Sequence, residues 1–430
     1  MGGGKDLLAF AQRHYRRNRT IVSRDIRPIL EDAAKLCGTK LKLHRFPSGR
    51  DFGTWIIPPR WDVREAWLKG PNGELIASYD DHPLFLAPYS TPFHGKLSLE
   101  NLKKHVQSHA TQKDAYFYEH RLAYDFRRRL KEWIITLPQN VVDRLKPGQY
   151  EVKIDLEIEP GEMLVGELAL PGTSNRDIVL LCNYCHPGQV NDSFSGVLAM
   201  LEVFRRLKRL PKRRYNYRLF LMPETIGSCA LLAKNPTMIK RAAAAIFSEF
   251  VGWGERWEIS VSDRPGTLAW LLAKEAAAHD ENLKVVDLFA GWGNDEYVFD
   301  YAGVSAMAVQ KFDSPEYHSS NDAPERLQSS EILRAADIIY RMCEVAEADR
   351  VLARRHPVPV YLTRYDLYLD AVHERDAFKK RRSVLYGIDG KQSLLEIAAK
   401  AGLDFDFVRR FADQLLKHKL VRPAAAGQRR

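Results

Sequence analysis

The sequence predicts an α/β fold built on a largely parallel sheet. Residues 177–184 (DIVLLCNY) and 216–224 (NYRLFLMPE) are continuous apolar runs, the pattern of strands buried on both faces. Between them, SGVLAMLEVFRRLKRL carries helical periodicity. The alternation then continues through AAAAIFSEFVG, the helix TLAWLLAKEAAAH, the strand KVVDLFAG, the segment AGVSAMAVQ and a closing helix in SEILRAADIIYRMCEVAEA. Such strand and helix alternation gives a sheet covered by helices, and its chemistry belongs at the carboxyl ends of the strands.

Taken from the start, residues 6–39 read as two helices. Leu7, Leu8, Phe10 and Ala11 supply one apolar stripe, Ile26, Ile29, Leu30, Ala33 and Leu36 another, and Gly38 ends the second. Residues 55–150 change character to short alternating runs with turn signals (WIIPP, REAWLKGPNGELIASY, LFLAPYSTPFHG), which predicts a β-rich inserted domain. The core domain is then expected from residues 1–54 and 151–350. Past Pro357-Val358-Pro359, Ser393 and Glu396 form a capping box, Gly402 stops that helix, and Asp404 caps FDFVRRFADQLLKHK. Two short helices and a following strand predict a winged helix-turn-helix over residues 360–430.

Composition bounds the class. The 430 residues are 45% hydrophobic and 28% charged, too apolar for a disordered chain and too charged for a membrane-embedded one. No run nears the roughly 20 apolar residues of a membrane helix, so no membrane partner is expected. The N-terminus turns basic before a signal-peptide core forms. Five scattered cysteines argue against a disulfide framework, and a cytoplasmic location is the expectation. Cys182 and Cys185 stand at CxxC spacing without a second pair, and read as small core residues on a strand rather than thiol chemistry.

A polar residue follows each predicted strand: His186 and Asp192 the first, Glu224 the second, Glu249 the third, Asp295 and Glu296 the fourth, with His318 near the end. Two imidazoles and several carboxylates suit zinc or a similar divalent ion. Asp192, in NDSFSG, is placed to bridge two ions. Gly196 lets a helix begin close by, with its N-terminus facing an anionic intermediate. Glu224, in LMPETIGS, could serve as general base.

These segments resemble the co-catalytic zinc exopeptidases typified by bacterial leucyl aminopeptidases and glutamate carboxypeptidase. CHP, ND.SG, PETIGS, GNDE and EYHSSND, together with FGTWIIPPRWDVREAWLKGPNGELI and LKPGQYEVKID, are more closely similar to bacterial aminopeptidase-like-domain proteins of unknown function. The resemblance implies a three-layer α/β/α zinc-exopeptidase-like core with a β-rich insert and a C-terminal winged helix. It implies that His186, Asp192 (bridging) and His318 are metal ligands for one or two zinc ions. Glu224 matches one member of the family's Glu-Glu pair, but its neighbour is Thr225. Aligned on one glycine it is the base, aligned on Gly-Ser it is a ligand, and both assignments stay open. Glu249 falls where the family has a ligating Asp. Asp295 and Glu296 take the place of an SDH motif, either supporting the site from behind or holding a substrate's amine. CHP in place of His-x-Asp removes the acid that usually orients the first histidine.

The leading expectation is therefore a metal-dependent hydrolase of the aminopeptidase type, acting on a small peptide or aminoacyl substrate with Glu224 as proton shuttle. A catalytically silent scaffold that binds an amine or aminoacyl group in a biosynthetic pathway is the alternative. A third class is a DNA-binding regulator. Residues 376–430 hold thirteen Lys and Arg against six Asp and Glu, seven of the chain's ten net positive charges, as phosphate contacts would require. Yet the presumed recognition helix opens with two acids, which favours a protein partner or self-association through the winged helix. Trp253, Trp257, Trp292 and Tyr297 are candidates to line a pocket, with core packing the more common use of such rings.

Overall fold

The structure is a computed structural model that describes residues 3–120, 122, 132–290, 293–312 and 314–424. Helices α1 (Gly3–His14) and α2 (Ile26–Leu36) form on the two expected stripes. Leu7, Phe10, Ala11, Ile26, Ile29, Leu30 and Ala33 are all buried, and Gly38 closes α2 at φ 57°. Strand β1 (Lys42–Pro47) follows. The inserted segment contributes β2 (Arg60–Lys69), β3 (Leu75–Ser78) and β4 (Phe93–Ser98), which join β5 (Gln149–Glu159) in an antiparallel sheet of order β3-β2-β5-β4.

Strand β5 runs unbroken past residue 150, where sequence places the end of the insert, and pairs throughout with β2 and β4. Its period-two alternation identifies a strand but carries no information on which sheet receives it. Only Pro160 and Gly161 separate β5 from β6 (Glu162–Leu170), which lies in the main sheet.

That main sheet adds β7 (Asp177–Asn183), β8 (Asn216–Met222), β9 (Ala242–Ser248), β10 (Arg256–Val261), β11 (Leu283–Asp287) and β12 (Ala306–Phe312). The order is β1-β6-β8-β7-β9-β12-β10-β11. The four central strands β8, β7, β9 and β12 are parallel, while β6 and β10 attach to them through antiparallel contacts; beyond these, β1 pairs antiparallel with β6 and β11 parallel with β10. Strand β10 carries Trp257 into the core, where it is 3% exposed. Sequence reading passes over β10 because Gly252, Gly254 and the charges around them resemble a loop.

Side chains of β7 alternate between two cores. Ile178, Leu180 and Cys182 pack with α1, α2, α3 (Phe194–Lys208), α5 (Leu268–His279) and α7 (Ser329–Ala348). Val179 and Leu181 pack with α4 (Ile226–Lys234), α6 (Asp295–Tyr301) and the insert's Trp61, Leu68 and Tyr150. Helices therefore cover both faces.

The C-terminal residues form α8 (Arg375–Gly387), α9 (Leu394–Ala401) and α10 (Phe405–Lys417), with β13 (Leu352–Arg354) pairing antiparallel to β14 (Val421–Pro423). The Ser393 capping box, the left-handed Gly402 and the Asp404 cap are all present. Phe405, Val408 and Phe411 join the core of the α1 face. The acids of α10 and its cap reach back to the core: Asp404 to His279 at 3.0 Å, Asp406 to Arg341 at 2.6 Å, and Asp413 to Arg350. Among the described residues, no helix is long and apolar enough to cross a membrane.

Candidate active site

The carboxyl ends of the central parallel strands bring most of the candidates together. His186 sits three residues beyond β7, in a loop held by a residue that no spacing announces. Arg19 is fully buried and its guanidinium donates to the carbonyls of Tyr184 (2.7 Å), Cys185 (2.8 Å), His186 (2.7 Å) and Gln189 (2.5 Å), lying over the Phe194 ring. A buried cation satisfied by backbone carbonyls fixes the path of the loop instead of pairing with an acid. Burial draws its pKa down to about 10.

Asp192 stands between the two imidazoles. Its Oδ1 is 3.5 Å from His186 Nδ1 and its Oδ2 is 3.3 Å from His318 Nε2. These three offer donor atoms within 4.8 Å of one another. The Asp192–Ser193 peptide bond is cis. The backbone of this loop is caught by Asp322, whose Oδ1 accepts from Val190 N (2.9 Å) and Asn191 N (2.6 Å) while Oδ2 accepts from Asp192 N (2.9 Å). Sequence reading names His318 in EYHSSND but passes over Asp322 four residues on, although an acid so close to a candidate ligand was a usable signal.

Glu224 follows β8 and keeps its side chain 27% exposed, the most open of the set, with Oε2 at 3.3 Å from His186 Nε2. Cys185, past the end of its strand rather than on it, accepts from Glu224 N (3.3 Å) and lies 3.5 Å from His186 Nδ1. The thiol belongs to the site's lining. Burial, then the charges of Glu224 and Asp192, push it well above its ordinary pKa, away from thiolate chemistry.

Glu249, at the end of β9, is buried and accepts from Asn294 Nδ2, outside the three convergent donors. Asp295 and Glu296 open α6 and are buried behind Glu224; Asp295 Oδ1 accepts from Thr225 N (3.2 Å) and Glu296 Oε1 from Asn294 N (3.1 Å). Of the aromatic candidates, Trp253 is buried and donates to Glu316, Tyr297 is exposed, and Trp292 lies outside the described residues.

Backbone conformation singles out the same place. Of the seven non-glycine residues with positive φ among those described, four are at the site: His186 (66°), Thr225 (59°), Phe250 (52°) and His318 (57°). Left-handed geometry is unfavourable for L-residues by about 1–2 kcal/mol and, for β-branched Thr225, more unusual still. Such residues cluster where surrounding structure holds functional groups in place.

The charges of the cluster are unbalanced. Burial raises Asp192 to about 7; burial, then Asp192 and Glu296, raises Glu224 to about 8. Burial chiefly, then neighbouring acids, also raises Glu249, Asp295 and Glu296, the last two to about 7. Burial lowers both histidines, His318 to about 3, which favours neutral imidazoles, the form that ligates metals. Asp192 Oδ2, Asp295 Oδ2 and Glu296 Oε2 accept no hydrogen bond among the described residues. Five carboxylates crowded about two neutral imidazoles want a cation, and the donor set of His186, Asp192 and His318 fits a divalent ion such as zinc.

The insert reaches this centre. Tyr118 N donates to His318 O (2.8 Å), and the Tyr118 ring sits edge-on at 5.0 Å from both the His186 and His318 rings. His120 lies 5.1 Å from His318. Nothing in the spacing of YFYEH ties it to motifs some 70 and 200 residues downstream.

Comparison with known proteins places the fold. A Clostridium acetobutylicum protein, described as a candidate polysaccharide biosynthesis protein with an aminopeptidase-like domain, is 26% identical over 393 residues, covering 89% of this chain and 88% of its own. The crystal structure of a candidate peptidase from Clostridium acetobutylicum superposes with a TM-score of 0.85 at 25% identity, over 98% of this chain and 96% of that one. A zinc aminopeptidase from Bacillus subtilis shares the fold at TM-score 0.58 and 15% identity, over 80% and 95%. The core is thus an aminopeptidase-like α/β fold. With residues 8–349 matching its model, the chain belongs to the family described as a domain of unknown function, DUF4910.

Proposed function

We propose that the protein is a metal-dependent hydrolase of the aminopeptidase type, cleaving an amide or peptide bond next to a free amine. The observation that carries this reading is the convergence of His186, Asp192 and His318 within 4.8 Å, with Glu224 at 3.3 Å from His186. These residues would hold one or two zinc ions, and a bound ion supplies Lewis acidity toward a carbonyl oxygen and toward water. Glu224, the exposed acid, takes a proton from the attacking water and returns it to the leaving amine. Asp295 and Glu296, buried acids whose ionised form a nearby cation favours, complement the substrate's ammonium group. Cys185 Sγ fixes the backbone of Glu224, and Asp322 fixes that of Asp192. In this reading residues 1–54 and the chain from β6 to residue 350 are the catalytic domain, the insert runs from residue 55 through β5, and 360–430 is a winged helix for protein docking. The engagement of Asp404, Asp406 and Asp413 with the core speaks against α10 entering a DNA groove.

The test is metal analysis of the purified chain with an aminoacyl-amide assay. Stoichiometric zinc and loss of turnover in Glu224→Gln are expected. A protein without bound zinc whose Glu224→Gln variant behaves as wild type refutes the reading. Thr225, standing where the family pattern has a second Glu, favours the alternative of a silent amine-binding scaffold, which predicts zinc and amine binding without turnover.

A further inference from the structure

The inserted domain clasps both ligand loops. On one side, Gly188 (φ 73°) of the His186 loop packs so closely on the insert that a Cβ there would lie 2.7 Å from His82 and 2.9 Å from Pro83. On the other, residues 116–118 run antiparallel to 318–320. Tyr118 N donates to His318 O (2.8 Å), Ser320 N to Tyr116 O (3.0 Å), and Phe117 bridges Ser319. His109 Nε2 meets Tyr317 O at 2.9 Å, and Asn321 Nδ2 donates to Gln112 at 2.8 Å. This pairing carries Tyr118 and His120 to the rim of the metal-ligand cluster. Tyr118 is 7% exposed and shields both ligand histidines. His120 contacts the His318 ring at 5.1 Å and the Tyr118 ring at 5.8 Å, yet it is not among the donors that converge with His186, Asp192 and His318.

We propose that this strip of the insert is the substrate wall of the site, with His120 donating a hydrogen bond to the reacting carbonyl oxygen and Tyr118 closing the pocket against long chains. The proposal rests on the hydrolase reading and deepens it. An imidazole whose ring lies 5.1 Å from that of His318 is within reach of a group on which the ligands act. An N–H aimed where negative charge develops favours the tetrahedral state over the planar amide. The wall also narrows the substrate class. His186, Asp192 and His318 have side chains at most 11% exposed while Glu224 keeps 27%, so approach runs over Glu224. With Tyr118 set against both histidine rings on the far side, short aminoacyl amides should be preferred over extended polypeptides.

The experiment uses the full-length, zinc-loaded protein. Zinc stoichiometry and calorimetric affinities are measured for the phosphonic acid analogue of leucine, which is tetrahedral and anionic, and for leucinol, which carries the amine without the acid group. His120→Ala should keep its zinc, bind the phosphonate about tenfold more weakly or worse, and bind leucinol as wild type does. His120→Gln, which retains a donor, should recover part of the loss. Equal phosphonate affinity in His120→Ala overturns the role of His120, and so does loss of zinc in both variants, which would make it a ligand. Wild-type protein that holds zinc but binds neither compound overturns the hydrolase reading and the wall with it.

Discussion

Gly196 offers a sharp test of how the site is built, because two physical effects act on it with opposite sign. It lies in the first turn of α3, where replacing glycine by alanine ordinarily stabilises a helix by about 1 kcal/mol. Here a Cβ would meet Ser248 O at 1.8 Å, Ser248 C at 2.5 Å and Glu249 Cα at 3.0 Å. Real Cβ atoms essentially never approach closer than 3.0 Å, so helix and strand must part by more than an ångström. Neither can do so locally. Twelve of the fifteen α3 residues are buried, and β9 is a central strand paired on both sides. Overpacking of backbone on backbone in such a place costs about 3 kcal/mol or more, leaving Gly196→Ala destabilised by roughly 2 kcal/mol after the helix gain. Urea denaturation measures it through the midpoint at constant slope. The moving atoms carry Glu249 on one side and stand four residues from Asp192 on the other, so zinc affinity should fall with stability. A Gly196→Ala variant as stable as wild type, or more so, would show that α3 does not seat against the end of β9 as described.

Three further outcomes follow from other parts of the molecule. Lysine at position 19 cannot reach the four carbonyls that Arg19 bonds within 2.8 Å, so Arg19→Lys should cost about 3 kcal/mol or more and lower zinc occupancy, read by thermal melting and metal analysis. Asp322→Asn turns one of three accepted backbone bonds into a donor facing a donor, a loss of about 2 kcal/mol accompanied by weaker zinc binding; an unchanged melting temperature in that variant contradicts the clamp. Burial alone would raise the Glu167 carboxyl, but hydrogen bonds from His44 (2.6 Å) and Arg218 (2.7 Å), with the Arg218 charge and nearby Lys42, outweigh it and hold it well below the carboxylate range. A carboxyl lowered in the folded state stabilises above its unfolded pKa of about 4.3 and loses that contribution as pH falls. Wild type should therefore exceed Glu167→Gln in stability at pH 7, with the gap closing below about pH 4; a gap independent of pH would mean the carboxylate charge contributes nothing.

Sequence exposes those parts of the site that obey strand topology. His186, Glu224 and Glu249 each follow a run apolar enough to mark a central strand, and an open α/β sheet gathers such positions at one edge. The capping residues Ser393, Gly402 and Asp404 are legible because their physics is local. Arg19 is not: its partners are main-chain carbonyls some 165 residues away, and a carbonyl has no letter in the sequence. Tyr118 and His120 depend on how an inserted sheet docks, which periodicity within the insert does not encode. Strand β10 is hidden by the Gly-rich approach to it, and its antiparallel place in the sheet breaks the alternation that reveals the others.

The crossing at Pro160 and Gly161 has a mechanical consequence. Two residues join a strand of the small sheet to a strand of the large one, and Ser48 grips the joint through paired hydrogen bonds with Gly161, 2.9 Å from Ser48 N and 3.0 Å to Gly161 N. With Arg60 and Val22 pressed against Gly161, the joint behaves as a weld, without the slack of a hinge. The small sheet is thereby fastened to the large one at the strand junction itself, with no linker between the two sheets to take up relative motion there.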